Sequence, residues 1–173
     1  MKPSIYLSGL LILGCVAVGC SNDTPASPSA SSPKFTAVLL PSNEVPAVTG
    51  TEATGSGTAT LTFNLTKNSA GNITAATLDV TVSATRFPAG TALTASHIHS
   101  GAAGVNAGVF VNFGLAPGEV AFANGDGSFT RQGVTMTVDE ANSIMANPAG
   151  FYVNIHTADN PGGVARGQLT RVQ

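Results

Sequence analysis

Beyond residue 20 the sequence has no cysteine, because the only two, Cys15 and Cys20, lie near the start of its 173 residues. A disulfide framework and a thiolate metal site are therefore excluded from the rest of the chain. Charge is also scarce, since charged residues make up 9% of the chain and the net charge is −2. This balance excludes a nucleic-acid partner, which would require a basic patch.

Catalytic signatures are missing as well. The sequence has no glycine-rich phosphate loop that opens a helix, and no elbow motif of a serine hydrolase. Its longest apolar run, residues 5–18, is shorter than the roughly 20 residues that a membrane-spanning helix needs. No complete catalytic set is visible, and no spanning segment is expected.

The first 19 residues are predicted to be a signal peptide, because Lys2 precedes the apolar run. The sequence AVGC at 17–20 resembles a bacterial lipoprotein processing site, so we expect lipidation of Cys20. A rival site, ILGC at 12–15, would place the lipid on Cys15 but would leave a very short apolar region. The remaining alternative is an ordinary secretory signal with incidental cysteines.

Residues 20–34 are predicted to form the lipidated cysteine and a linker. From residue 21 they read SNDTPASPSASSPK, a Ser/Pro/Ala-rich composition that is typical of a solvated tether. A lipid followed by such a tether anchors a protein without spanning the bilayer. We therefore predict an exported protein, held at the outer membrane or cell surface, with one folded domain at 35–173.

The domain shows strand periodicity. Apolar and polar residues alternate in 58–65 and again in 76–82, which predicts a β-hairpin with one face in water. One wet face favours an antiparallel sheet. Further short strands are predicted at 35–40, 93–99, 109–113, 119–123, 127–136, 152–156 and 164–171. The fold class is therefore all-β, either an antiparallel two-sheet sandwich or a Greek-key barrel.

One segment departs from this pattern. Thr137 stands three residues before Glu140, the spacing of a capping box, and Ile144 and Met145 follow at helical spacing. A short helix is predicted over Val138–Ala146, ended by the proline at 148.

All three histidines lie in two of the predicted strands. His97 and His99 share one face of their strand, and His156 lies on the less apolar face of the sequence YVNIHT at 152–157. If these strands are neighbours, three imidazoles converge, a ligand set that suits copper or zinc. The alternative is structural, with the histidines hydrogen-bonded to loop backbone, since no carboxylate is close in sequence to orient the rings.

The ordered motifs resemble the CHRD domain, a family named for the repeated domain of the animal protein chordin and also found in bacterial secreted proteins. They are EVP at 44–46, HIH with a Gly/Ala-rich loop and a Val-rich strand at 97–111, and YVNIHT, NPGG and RGQL within 152–169. The resemblance implies an extracytoplasmic β-rich module. Family members usually carry an acid and an aliphatic residue before RGQL, where this chain has Val164 and Ala165.

A weaker likeness concerns the same histidines. HxH on one strand, then a strand-borne histidine, a glycine-rich turn and an arginine are similar to the copper half of copper-zinc superoxide dismutases. This likeness implies that His97, His99 and His156 are copper ligands and that Arg166 guides an anion. Alternatively, Arg166 is a structural partner of Glu44 or of Asp159. The chain has no fourth histidine to bridge to zinc, so a full dismutase site is not expected.

Two functions remain open. The preferred prediction is an envelope-anchored, non-catalytic binding or structural module, whose partner is an extracellular protein, a polymer or a metal ion. The alternative is a copper- or zinc-dependent enzyme that uses the three-histidine site. Membrane contact is expected only through the lipid on Cys20.

Overall fold

The computed structural model describes Met1 and residues 29–173, so Cys20 and nearly all of the predicted signal peptide lie outside the described residues. Eleven strands and one α-helix occur in the described part. The strands are β1 (Ser29–Ser31), β2 (Lys34–Leu39), β3 (Ser56–Lys67), β4 (Ile73–Thr85), β5 (Thr91–His99), β6 (Val109–Asn112), β7 (Ala121–Phe122), β8 (Gly127–Met136), β9 (Tyr152–Thr157), β10 (Ala165–Gln168) and β11 (Thr170–Arg171), and the helix is α1 (Val138–Ala146).

The strands form two antiparallel sheets. The six-stranded sheet has the order β11-β2-β3-β4-β8, with β1 paired to β3, and the five-stranded sheet has the order β10-β9-β5-β6, with β7 paired to β5. In the described part of the chain no strand belongs to both sheets, and the sheets do not close into a barrel. The all-β prediction is therefore confirmed, and of its two forms the structure is the sandwich.

The predicted hairpin forms the centre of the larger sheet, where β3 pairs with β4 over nearly its whole length. Alternate residues of both strands, such as Leu61, Phe63 and Leu78, are fully buried. Ile98, Val153 and other residues of the smaller sheet pack against them in one core. Removing this apolar surface from water is the main favourable contribution to folding.

The sheet begins before the predicted domain boundary at residue 35. Residues 29–31, which composition placed in the linker, form β1 and pair antiparallel with β3, Ser31 opposite Leu65. Pro33 is buried, and its carbonyl accepts a hydrogen bond from the Phe63 amide. Backbone pairing of this kind does not depend on apolar side chains, so the Ser-rich composition did not reveal it.

The predicted helix is confirmed with the same bounds. The Glu140 amide donates to the Thr137 hydroxyl at 3.1 Å, and the Thr137 amide donates to the Glu140 carboxylate at 2.7 Å, which completes the capping box. Ala141 and Ile144 bury one face of the helix against the core. No helix among residues 29–173 is long and apolar enough to cross a bilayer.

The prediction of one final strand over 164–171 was wrong, because this segment forms two strands in different sheets. β10 pairs with β9, whereas β11 pairs with β2. The chain crosses between the sheets at Leu169, whose side chain is buried in the core. At the same corner Leu40 and Arg166 exchange backbone hydrogen bonds, which ties β10 to the end of β2.

Candidate functional site

The two histidine-bearing strands are neighbours in the smaller sheet. β9 lies between β5 and β10, and it is antiparallel to both. The register pairs between β5 and β9 are His99 with Tyr152, His97 with Asn154, and Ala95 with His156. Because paired residues share a face, the three histidines, Tyr152 and Asn154 all project from the face that points away from the core.

The structure brings the three predicted histidines together. His97 Nδ1 lies 3.1 Å from His156 Nε2, and one ring nitrogen from each of the three residues lies within 4.8 Å of the others. The ring centroids of His97 and His99 are 5.5 Å apart. Three nitrogens at these separations can reach one ion at bonds of about 2 Å after small side-chain adjustments.

This face of the sheet is covered, although it is the less apolar face of β9. Asn154 is 1% exposed, Tyr152 is 3% exposed, and His99 and His156 are each 7% exposed. Loops lie over them, so every residue of β9 is buried. Only His97, which is half-buried, keeps substantial contact with solvent.

Those loops also fix two of the rings. His156 Nδ1 lies 2.9 Å from the Pro161 carbonyl oxygen, and His99 Nδ1 lies 2.9 Å from that of Ala107. A carbonyl oxygen can only accept, so each Nδ1 carries the hydrogen and each neutral ring has its lone pair on Nε2. Nε2 of His99 is buried, and it has no hydrogen-bond partner among the described residues.

Burial disfavours a positive charge on two of the three rings, His97 and His156. It lowers the pKa of His97 to about 4, and charge on His156 and His99 would lower it further. Burial also lowers the pKa of His156, against the hydrogen bond to Pro161, which raises it. Both rings are therefore neutral at pH 7, the form in which imidazole binds metals.

Comparison with known proteins identifies the fold that carries this cluster. The model of the CHRD domain family matches residues 35–169, which include all three histidines. The chain belongs to the CHRD domain family. No curated protein and no solved structure matches the chain.

Tyr152 separates the histidines of this CHRD domain from Arg166. Its ring is stacked on His99, with 5.0 Å between the centroids and 5° between the planes, and the Arg166 guanidinium carbon lies 4.6 Å from the ring centroid. His99 comes from β5 and Arg166 from β10, which flank β9 on opposite sides. The Tyr152 ring thus lies between the imidazole cluster and the guanidinium group.

On the other side of the Tyr152 ring, Arg166 forms hydrogen bonds and an ion pair with neighbouring protein groups. Its Nε donates to the Asn43 carbonyl at 2.6 Å, its Nη1 donates to the Asn106 side chain at 2.8 Å, and its Nε lies 3.8 Å from a Glu44 oxygen. Arg166 is 2% exposed. Of the two predicted structural partners the structure shows Glu44, and the pair is buried within the CHRD domain.

Glu44 occupies an unusual environment for a carboxyl group. Burial raises its pKa from 4.5 to about 7, although Arg166 and the Asn154 amide both favour the ionised form and lower it. Asp159 lines a cavity that Glu44 also lines. Glu44 is thus poised between its two charge states near neutral pH.

Asn154 is the contact that the predicted ligand set omitted. Its Oδ1 lies 2.8 Å from His156 Nε2, inside the cluster. The alternation of YVNIHT already placed Tyr152, Asn154 and His156 on one face, so the signal was present in the sequence. The carbonyl groups of the covering loops gave no such signal, because their positions depend on the path of the loops.

Proposed function

We propose that this CHRD domain is a non-catalytic binding module whose centre holds a copper or zinc ion on His97, His99 and His156. One observation carries the proposal: the Nδ1 atoms of His99 and His156 donate to loop carbonyls. Metal-binding histidines usually donate their second nitrogen in this way, which fixes the tautomer and directs the free lone pair to the ion.

The donor set fits these metals. Three neutral imidazoles suit copper and zinc, and a three-histidine site leaves one coordination position open. The buried, unpartnered Nε2 of His99 supports a cationic ligand, because an unsatisfied buried acceptor costs about 1 to 3 kcal/mol. His97, the half-buried member, gives an ion access from solvent.

The surroundings support binding over catalysis. Tyr152 stacks on His99 and Asn154 contacts His156, and among the described residues no carboxylate forms an ion pair with an imidazole. Four surface cavities of 330 to 490 Å³ have no histidine in their linings. An ion held here can stabilise the covering loops or join this surface to an extracellular protein or polymer.

The location is part of the proposal. A lipid on Cys20 and the following Ser/Pro/Ala-rich segment would hold the module at the outer membrane or cell surface. There, copper and zinc reach the site without competition from cytosolic thiols. Labelled fatty acid should enter the wild-type chain and the Cys15→Ala variant but not the Cys20→Ala variant.

Elemental analysis tests the metal proposal. The full chain, exported with its own leader and purified without a polyhistidine tag, should bind about one copper or zinc ion. His99→Ala should lower the affinity at least 100-fold, because it removes one of three ligands. Thr81→Val, on the outer face of the other sheet, is the control and should bind like the wild type. Equal binding by His99→Ala and the wild type would refute the site.

A copper or zinc enzyme is the second candidate, favoured by the coordination position that three histidines leave open. The metal-loaded chain can be assayed for superoxide dismutation and for ester hydrolysis beside His99→Ala. Turnover that is present in the wild type and lost in the variant would replace the non-catalytic proposal.

A further inference from the structure

A short chain of contacts leads from the histidine cluster to Glu44. Asn154 Oδ1 lies 2.8 Å from His156 Nε2, and the other end of the same amide faces Glu44. Gly163 makes room for both groups, since a Cβ there would lie 2.5 Å from Glu44 Oε1 and 2.7 Å from Asn154 Nδ2. Asn154 therefore stands between a candidate metal ligand and a buried acid.

The Asn154 amide links the charge at His156 Nε2 to the charge of Glu44. In the observed orientation Oδ1 faces His156 Nε2, which suits a positive charge at Nε2, while Nδ2 faces Glu44, which suits an ionised carboxylate. Rotating the amide reverses both preferences: Nδ2 then donates to a bare Nε2 lone pair, and Oδ1 accepts from a protonated Glu44. If only one of the two groups changes its state, one end of the amide faces a group that it cannot pair with. Such an unpaired contact between buried polar groups is costly.

We propose that Glu44 is partly protonated in the metal-free protein near neutral pH and releases this proton to solvent when a metal ion binds the histidines, with Asn154 coupling the two events. The inference rests on the proposed function, because it concerns the same site. In the exchange, the His156 lone pair forms a bond to the ion, the O–H bond of Glu44 breaks, and the proton leaves as the Asn154 amide rotates.

The charges around Glu44 are suited to this exchange. Arg166 lies 3.8 Å away and favours the carboxylate, whereas burial favours the neutral acid, and exposed Asp159 adds a negative charge at the rim of their shared cavity. Burial, opposed by Arg166 and by the Asn154 amide, leaves the pKa of Glu44 at about 7. A positive ion beyond the amide can then shift the carboxyl group to its ionised form.

The expected proton count follows from this balance. At pH 7 about half of the metal-free molecules carry the proton on Glu44, so binding should release about 0.5 proton from this residue. Because such coupling is reciprocal, the affinity for the metal should fall more steeply below pH 8 in the wild type than in a variant without this proton.

Calorimetry of zinc binding to the full chain measures the exchange. Titration at pH 7 in buffers of different ionisation enthalpy gives the number of protons released, and Glu44→Gln should release about 0.5 fewer than the wild type. Glu52→Gln is the matched control. Glu52 is equally buried but already accepts hydrogen bonds from Thr157 and Asn160, so its replacement should leave the count unchanged.

Carbon-13 NMR of the wild type covers the case in which Glu44→Gln does not fold. The chain has only four glutamates, Glu44, Glu52, Glu119 and Glu140, so their labelled carboxyl carbons can be followed through pH. One should titrate near pH 7 without metal and at a clearly lower pH with zinc. Zinc binding with an unchanged proton count and an unchanged titration would overturn the exchange alone. Failure of zinc to bind at all would overturn the proposed function and the exchange with it.

Discussion

The two outward faces of the sandwich differ in what covers them. On the six-stranded sheet the outer face is open, and its central row is built of hydroxyl side chains from five neighbouring strands. The row consists of Thr170, Thr36, Thr60, Thr81 and Thr130. On the five-stranded sheet the corresponding face carries the histidines and lies beneath loops. His99 and His156 are each only 7% exposed there.

The covering loops distinguish the candidate site from the open polar face of the other sheet. Threonine hydroxyls such as those of Thr81 and Thr130, 3.1 Å apart, satisfy each other or bond to water. Beneath the loops His99 and His156 meet fixed carbonyl oxygens instead of water, so each ring keeps one tautomer and one free lone pair. Burial also lowers the pKa of His156 and so disfavours a charge on its ring. The candidate site thus depends on loop residues outside its own strands.

Substitution of Gly167 should have the largest effect, because it breaks the corner where the two sheets meet. A Cβ at this position would overlap the Val38 backbone carbonyl, which cannot move without disturbing β2. We expect Gly167→Ala to lower the free energy of unfolding by about 3 kcal/mol or to prevent folding. Urea denaturation followed by circular dichroism measures it.

Gly162 supplies the control for this prediction. It lies in the turn before β10, nothing within 4 Å would meet its Cβ, and it has no positive φ. Gly162→Ala should therefore unfold within about 0.5 kcal/mol of the wild type. Equal stability of the two variants would show that the corner tolerates extra volume.

Much of this architecture could be predicted from the sequence, because local patterns specify it. Alternation of apolar residues gave the hairpin of β3 and β4, and the spacing of Thr137 and Glu140 gave α1 with its capping box. The HIH and YVNIHT sequences gave the faces on which the histidines lie. These features depend on residues a few positions apart.

The remaining features depend on residues far apart in the chain. The alternation of apolar and polar residues does not reveal the crossing at Leu169, because the segment stays extended while it passes from one sheet to the other. The approach of Glu44 to Asn154 joins positions more than 100 residues apart. The predicted bonds to loop backbone are present for His99 and His156, and in the proposed metal site the same bonds would orient the nitrogens for an ion.

Removing one polar side chain from each outer face should lower the free energy of unfolding by less than Gly167→Ala does, and by different amounts on the two faces. Asn154→Ala deletes a buried amide and leaves the groups around it unpaired, so it should cost about 2 kcal/mol. Thr81→Val deletes an exposed hydroxyl while keeping the shape of the side chain, and it should cost less than about 0.5 kcal/mol. Thermal unfolding of both variants in a chelator measures the difference. Equal costs would contradict the claim that cover distinguishes the faces.

Between pH 6.5 and 4 the pH dependence of stability should show the smallest effect, because His97 on the covered face is only half-buried and solvent screens part of its interactions. His97 has a pKa of about 4 when folded, below its ordinary value of 6.5. Between these values His97 binds the proton in the unfolded chain but not in the folded one, so its contribution to the stability of the metal-free protein should fall as the pH falls from 6.5 to 4. His97→Gln cannot take up this proton in either state, so the variant should lack this contribution.

The comparison must be made between variants at each pH, because Glu44 acts in the opposite sense. Its folded pKa of about 7 lies above 4.5, so protonation of Glu44 favours the folded state as the pH falls through that window. The difference in melting temperature between His97→Gln and the wild type cancels this contribution, since both chains retain Glu44. It should shift in favour of the variant on going from pH 7 to pH 5. A difference that stays constant would mean that His97 ionises as freely in the folded protein as in water, and that the loops do not keep this face dry.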